Sequence, residues 1–139
     1  MNFFDSNVLL YAEDGRFEDK QQIARDLLRE GFSSGSGVIS AQVLEEFYAN
    51  AIRKLGASRA DARDRARHYS ALLVVPVTAE LALAAIDFHQ LTQIAFWDAL
   101  IVKAAASSGC GTLYSEDLKD GATYDGVRVR NPFVAPPTA

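Results

Sequence analysis

Cysteine and histidine are scarce in this chain of 139 residues, which contains one cysteine, Cys110, and two histidines. A single cysteine cannot form an internal disulfide, and the absence of a CxxC motif or Cys/His cluster argues against a zinc site. No run of about 18 apolar residues occurs, and the first residues lack the basic and apolar segments of a secretory leader. We therefore expect a soluble cytoplasmic protein without membrane association, with one domain over residues 1–133 and a tail over residues 134–139.

The chain also lacks a large charge of either sign, because its formal net charge is only -4 at pH 7. Such a balance argues against a surface that binds a polyanion as a whole. One segment departs from it: between Arg53 and Arg67, six basic residues stand against two acidic ones, a local charge of +4. This segment is either a solvated helix face or a patch that contacts phosphate groups through residues such as Arg63.

Apolar periodicity predicts alternating strands and helices. Short apolar runs, such as residues 38–39 and 72–75, indicate strands, and apolar stripes between them indicate helices. We expect Gly31 to end the second helix, residues 72–75 to be buried on both faces of a sheet, and residues 127–129 to form an edge strand. The order β-α-α-β-α-α-β-α-α-β-β predicts an α/β fold whose central parallel sheet of four to five strands is covered by helices on both faces.

Two carboxylates are notable for their positions. Asp5 follows the apolar residues of the first strand, and the carboxyl edge of a parallel sheet is where ligands bind. Asp5 could equally serve as the N-cap of the helix that follows it. Asp98 lies in the first turn of a nearly all-apolar helix, where burying a lone charge is costly, so it requires a partner, a cap or a cation.

Four short motifs follow one another along the chain: Phe4-Asp5-Ser6-Asn7, Leu44-Glu45-Glu46-Phe47, Phe96-Trp97-Asp98-Ala99 and Tyr114-Ser115-Glu116-Asp117. Together with the closing segment over residues 127–133, they resemble the PIN-domain ribonucleases, in particular the VapC-like toxins of bacterial type II toxin–antitoxin systems. The resemblance covers essentially the whole chain. It implies a PIN-like, Rossmann-like fold.

The resemblance also implies an acidic quartet, formed by Asp5, Glu46, Asp98 and Asp117. Three of these, Asp5, Asp98 and Asp117, would bind the metal. Glu46 is favoured over Glu45 because the family spaces its glutamate six residues after the serine at the second strand end. Glu116 and Asp120 of the neighbouring turn remain possible additional ligands.

Further roles and partners follow from the same resemblance. Asn7 and Ser115 would support the acidic residues through hydrogen bonds. The substrate would be RNA, and the contacts from the basic segment would be Arg53, Arg63 and Arg67. The expected protein partners are a cognate antitoxin and a second copy of the chain in a homodimer.

An acidic quartet has a chemical meaning of its own. Two carboxylates about 5 Å apart repel each other by roughly 3 kcal/mol at an effective dielectric constant near 20, so a cation is needed among them. Oxygen ligands without cysteine or histidine select a hard ion, Mg²⁺ or Mn²⁺. Such an ion activates water and neutralises charge on a phosphate, which predicts a metal-dependent endoribonuclease that hydrolyses phosphodiester bonds.

Three alternatives remain at this point. A haloacid-dehalogenase-like phosphatase would need a second aspartate two residues after Asp5, where this chain has Asn7. A receiver domain would need paired acids at the first strand end and a lysine near the last strands, whereas Lys119 lies in the acidic turn. A non-catalytic PIN-like binding module would not need all four acidic positions.

Overall fold

The computed structural model describes residues 1–134, in which a six-stranded sheet is flanked by six helices. The strands are β1 (Asn2–Phe4), β2 (Gly37–Ser40), β3 (Leu73–Val75), β4 (Thr112–Tyr114), β5 (Thr123–Tyr124) and β6 (Val127–Arg130). The helices are α1 (Ser6–Ala12), α2 (Glu18–Ser34), α3 (Ala41–Leu55), α4 (Arg59–Tyr69), α5 (Ala79–Leu91) and α6 (Phe96–Ser107). Val134 is exposed, and the rest of the expected tail lies outside the described residues.

The strand order β3-β2-β1-β4-β6-β5 places β1 near the centre of the sheet. All pairings are parallel except that of β5 with β6. The chain proceeds from β1 to β2 and β3 on one side and returns to β4 on the other, so the strand order reverses beside β1. The carboxyl ends of β1 and β4 therefore border the crevice where ligands bind in open α/β sheets.

Helices cover both faces of the central strands. Phe3 and Phe4 are 0% and 1% exposed, and successive residues of a strand point to opposite faces. Val38 and Ile39 of β2 are buried in the same way. The α/β class and the mostly parallel sheet with helices on both faces are thus confirmed. No helix within residues 1–134 has the length and apolar character to span a membrane.

Two helices begin at serine residues whose hydroxyl groups cap them. The Ser40 hydroxyl accepts a hydrogen bond from the N–H of Val43 at 3.3 Å and begins α3, which carries Glu46. The Ser58 hydroxyl accepts one from the N–H of Asp61 at 3.0 Å and begins the basic helix α4. A side-chain cap satisfies a backbone donor that the helix itself cannot, which fixes where each helix starts.

Three expectations for the sheet are wrong. It has six strands rather than four to five, because the two-residue strand β5 pairs with β6 in antiparallel orientation. Strand β6 consequently lies between β4 and β5 and is not at an edge. Strand β3 is itself at an edge, and its Leu73 is 49% exposed, so the apolar run over residues 72–75 is not buried on both faces.

The prediction that Gly31 ends the second helix is also wrong, since α2 continues to Ser34. A Cβ atom at Gly31 would lie only 2.9 Å from Cε2 of Phe4. Glycine therefore serves close packing of α2 against the aromatic ring that precedes Asp5. The helix ends at Gly35, whose φ of 69° is in the left-handed region that glycine tolerates.

Candidate active site at the carboxyl edge of the sheet

Asp5 lies directly after β1 and is only 3% exposed. Its Oδ1 accepts a hydrogen bond from the N–H of Ser6 at 2.7 Å, and its Oδ2 accepts one from the Ser115 hydroxyl at 2.7 Å. Burial raises the pKa of Asp5 to about 6, and the charges of Asp117 and Asp98 raise it further against the lowering effect of the two hydrogen bonds. Asp5 is therefore both the cap of α1 and a carboxylate near other carboxylates.

Ser115 connects the first and fourth strand ends through its hydroxyl group. It follows β4, is fully buried, donates to Asp5, and accepts the N–H of Asp117 at 3.1 Å. The amide nitrogen of Asn7 lies 3.5 Å from the same oxygen and donates to Oδ2 of Asp117 at 3.2 Å. The side-chain oxygen Oδ1 of Asn7 accepts a hydrogen bond from the N–H of Glu116 at 3.4 Å. Asn7 and Ser115 thus orient two carboxylates on neighbouring strands.

Glu46 lies on α3 and is half-buried, whereas Glu45 is exposed. The Oε1 atom of Glu46 is buried and has no hydrogen-bond partner among the described residues. Burial raises the pKa of Glu46 to about 7, with further contributions from the charges of Asp5, Asp117 and Asp98. Glu46 therefore lies close enough to the other three carboxylates for their charges to affect its pKa.

Asp98 lies in the first turn of α6 and is half-buried. The N-cap of this helix is Ala95, and no side chain caps it. Burial raises the pKa of Asp98, and the charge of Asp117 adds to this effect. Asp98 consequently does not act as the cap of its helix, and the charge of Asp117 acts on both Asp98 and Asp5.

The acidic quartet of Asp5, Glu46, Asp98 and Asp117 thus shares one region of the structure. None of its members forms an ion pair within residues 1–134. No three of the acidic, histidine or cysteine side chains in this range form a ready-made metal-binding group. The donor set nevertheless fits a hard divalent cation, because it is all oxygen, mutually repulsive, and contains a buried oxygen without a partner.

Two other acidic residues of the same turn have partners elsewhere. The Glu116 carboxylate accepts from the Tyr11 hydroxyl at 2.7 Å and lies 3.3 Å from Nζ of Lys20. The Asp120 carboxylate accepts the N–H of Asn131 at 2.9 Å and so holds the segment after β6. These contacts give Glu116 and Asp120 local structural roles.

A cleft of about 380 Å³ adjoins the quartet and runs along α1. It is bordered by Glu46 and Asp117 and by two basic residues, Arg16 and Lys54. The remaining residues that border it are Ser6, Asn7, Leu10, Tyr11, Asp14, Phe17, Asn50, Leu55 and Glu116. Arg16 and Phe17 were not predicted from the sequence, because they lie outside every motif. The signal that could have found them is that they lie shortly after α1, the helix that Asp5 caps.

The three arginines expected to contact RNA do not border this cleft. Arg53 donates to Oδ1 of Asn50 at 2.8 Å, and Asn50 does border it. Arg63 is 69% exposed on α4, where it lies 3.9 Å from Asp64, and Arg67 is exposed on the same helix. Lys54, next to Arg53 in sequence, is the member of the basic segment that reaches the cleft.

Solved structures provide three comparisons. The Mycobacterium tuberculosis toxin VapC20, described as cleaving the sarcin–ricin loop, superposes with a TM-score of 0.68 at 22% identity, over 84% of this chain and 90% of that chain. A toxin–antitoxin complex from Klebsiella pneumoniae gives 0.71 at 21% identity, over 96% and 98%. VapBC2 from Rickettsia felis, bound to a promoter DNA fragment, gives 0.68 at 14% identity, over 93% and 96%. No curated protein gives a significant match.

Fold and site together define an α/β protein with an acidic site where the strand order reverses. The profile of the PIN domain family matches residues 3–119. This chain belongs to the PIN domain family, which confirms the resemblance and excludes the phosphatase and receiver-domain alternatives.

Proposed function

We propose that this chain is a Mg²⁺- or Mn²⁺-dependent endoribonuclease and the toxin of a toxin–antitoxin pair. The observation that supports it most strongly is the acidic quartet at the carboxyl edge of a PIN fold, where burial and neighbouring carboxylates raise the pKa values of Asp5, Glu46 and Asp98. No member of the quartet has a basic partner within residues 1–134. The likeness to VapC20, described as cleaving the sarcin–ricin loop, supports the choice of RNA as substrate. The likeness to two toxin–antitoxin complexes supports the role of a toxin with an antitoxin partner. A cytoplasmic location belongs to the same proposal and fits the single buried cysteine.

The roles of the chain's own residues follow from their contacts. Asp5, Asp98 and Asp117 would hold the ion, and Ser115 and Asn7 keep the first and last of these in place by hydrogen bonds. When bound, the ion supplies an activated water and neutralises charge on the scissile phosphate. Glu46 lies beside these ligands. Lys54 and Arg16 at the cleft offer positive charge to neighbouring phosphates.

Cleavage of RNA in the presence and absence of chelator tests this function. We expect Mn²⁺- or Mg²⁺-loaded protein to cut structured RNA, EDTA to stop the reaction, and Asp117→Asn to be inactive. The matched control is Asp120→Asn, which removes a charge from the same turn but leaves an oxygen for the N–H of Asn131. Undiminished cleavage in EDTA would show the metal mechanism to be wrong. Equal loss of activity in both variants would remove the special role of Asp117.

The proposed partners are an antitoxin and a second copy of the chain. An antitoxin arginine would match the acidic quartet, because its planar guanidinium pairs with carboxylates through two hydrogen bonds. A homodimer is supported by exposed apolar side chains on α5, where Leu83 is 61% and Ile86 40% exposed. Light scattering at tens of micromolar tests the dimer, and a strictly monomeric mass would contradict it.

A further inference from the structure

The loop between α1 and α2 places the aromatic ring of Phe17 and the cation of Arg16 at the cleft, and Lys20 in the first turn of α2 lies beside the ring. Phe17 is 46% exposed, and it borders the same cleft as Asp117 and Glu46. The guanidinium carbon of Arg16 lies 5.6 Å from the ring centroid, and Nζ of Lys20 lies 5.8 Å from it. An exposed ring beside cations is the combination with which proteins bind single-stranded nucleic acid, because bases stack on the ring and phosphates meet the charges.

The side chains of Arg16 and Phe17 are both held in place by their neighbours. The Arg16 guanidinium donates to both carboxylate oxygens of Asp14, each at 2.9 Å, and this two-bond pair fixes the plane of the guanidinium. The Phe17 ring packs edge-on against Tyr11, with centroids 5.8 Å apart and an interplanar angle of 87°. Little side-chain freedom remains to be lost when a base stacks here, which favours binding.

The spacing of Asn7 and Tyr11 along α1 shows how far the Phe17 ring lies from the acidic quartet. Asn7, which donates to Asp117, and Tyr11, which supports Phe17, are four residues apart on one helix face. Four helical residues span about 6 Å along the axis. The ring is therefore close enough to the quartet for one RNA strand to contact both.

We propose that Phe17, flanked by Arg16, is a base-stacking subsite that holds one unpaired nucleotide of the RNA beside the scissile phosphate. This inference rests on the proposed function and deepens it, because it selects an unpaired base as the recognised element. RNA is read chiefly where its bases are unstacked and can lie on aromatic side chains or guanidinium planes. A duplex would not present such a base.

The test uses a single-stranded RNA oligonucleotide that carries 2-aminopurine at successive positions, with binding measured in EDTA so that the strand stays intact. For wild type and Phe17→Tyr, we expect one position at which emission is quenched on binding. Phe17→Ala and Phe17→Leu should lose this quenching, and Phe17→Ala should bind roughly 5- to 150-fold more weakly, the range associated with losing one base–aromatic stack. Leu73→Ala, which removes a similarly exposed apolar side chain (49% exposed) from the edge strand β3, should bind as wild type does.

The outcomes separate the subsite from the proposed function. If wild type cleaves RNA but Phe17→Ala keeps its affinity and its quenching, the subsite is wrong and the ribonuclease remains. If wild type neither binds nor cleaves RNA, both fail. If Phe17→Ala becomes monomeric where wild type is a dimer, and its RNA affinity is unchanged, the subsite is also wrong, because the ring is then a contact between two copies of the chain. Thermal melts of all variants establish that each is folded, and the tyrosine variant should restore what alanine loses.

Discussion

Replacing Glu46 by glutamine should stabilise the metal-free protein at high pH. The pKa of Glu46 rises from 4.5 to about 7, chiefly through burial and then through the charges of Asp5, Asp117 and Asp98. A shift of this size corresponds to roughly 3 kcal/mol, since one pKa unit is worth about 1.4 kcal/mol. The side chain is only half-buried, so solvent screening reduces the expected gain to about 1–2 kcal/mol.

The pH dependence fixes the sign of this effect. A carboxyl whose folded-state pKa is raised contributes stability that is fully present below its unfolded-state pKa, here 4.5, and lost as pH rises through about 7. Glutamine cannot ionise, so Glu46→Gln is free of this loss. The advantage of the variant should therefore be near zero at about pH 4, grow between 4.5 and 7, and stay constant above that.

Thermal melts in EDTA at pH 4 and pH 8 measure the effect. An advantage of about 1–2 kcal/mol at pH 8 corresponds to a rise in Tm of about 3–8 °C for a domain of this size. Glu45→Gln is the matched control, because Glu45 is the exposed neighbour on the same helix, and it should change Tm by much less. A Glu46→Gln protein that melts lower than wild type at pH 8, or that gains equally at both pH values, would refute the reasoning.

Three further predictions concern other side chains of the site. Asp98→Asn should abolish cleavage and should melt higher than wild type without metal. It should also lose most of the Mn²⁺-induced rise in Tm, because ligand-linked stabilisation requires the site. A variant that is less stable yet keeps its Mn²⁺ response would show that Asp98 only stabilises the start of its helix, by up to about 1 kcal/mol. Ser115→Ala should destabilise the fold by about 1–3 kcal/mol in urea unfolding, because a buried oxygen of Asp5 loses its donor, and an unchanged midpoint would contradict that contact. Charge reversal of Arg63 and Arg67 should weaken RNA binding and flatten its salt dependence if α4 meets phosphates, and an unchanged slope would assign both arginines to the solvated surface.

The strand ends of the site could be predicted from the sequence. A polar residue directly after a short apolar run marks the carboxyl end of a strand, and Asp5, Ser40 and Ser115 all occupy such positions in the structure. Local patterns sufficed here because the site is built from strand ends of a parallel sheet. Their assignment to particular chemical roles came from the family resemblance and remains a prediction.

Other features depended on tertiary contacts that no local pattern carries. Gly31 resembles a helix stop, yet it lies inside α2 because the Phe4 ring packs against it. The apolar run at β3 indicates a central strand, but the sheet ends there and Leu73 faces solvent. Phe17 belongs to no motif, and only the folded loop brings it to the cleft beside Asp117.

The hydrogen bonds between the two ends of the site have a consequence for the timing of synthesis. Asp5 with Ser115 and Asn7 with Asp117 are each separated by 110 positions in the chain. A ribosome adding about 5–20 residues per second needs roughly 5–20 s to pass from the first member of each pair to the second. Pairing of β4 beside β1 is a non-local step, which forms late because the intervening chain must first be closed into a loop. The acidic quartet of a nascent chain therefore stays incomplete until residues 115–117 have been synthesised and β4 has paired with β1.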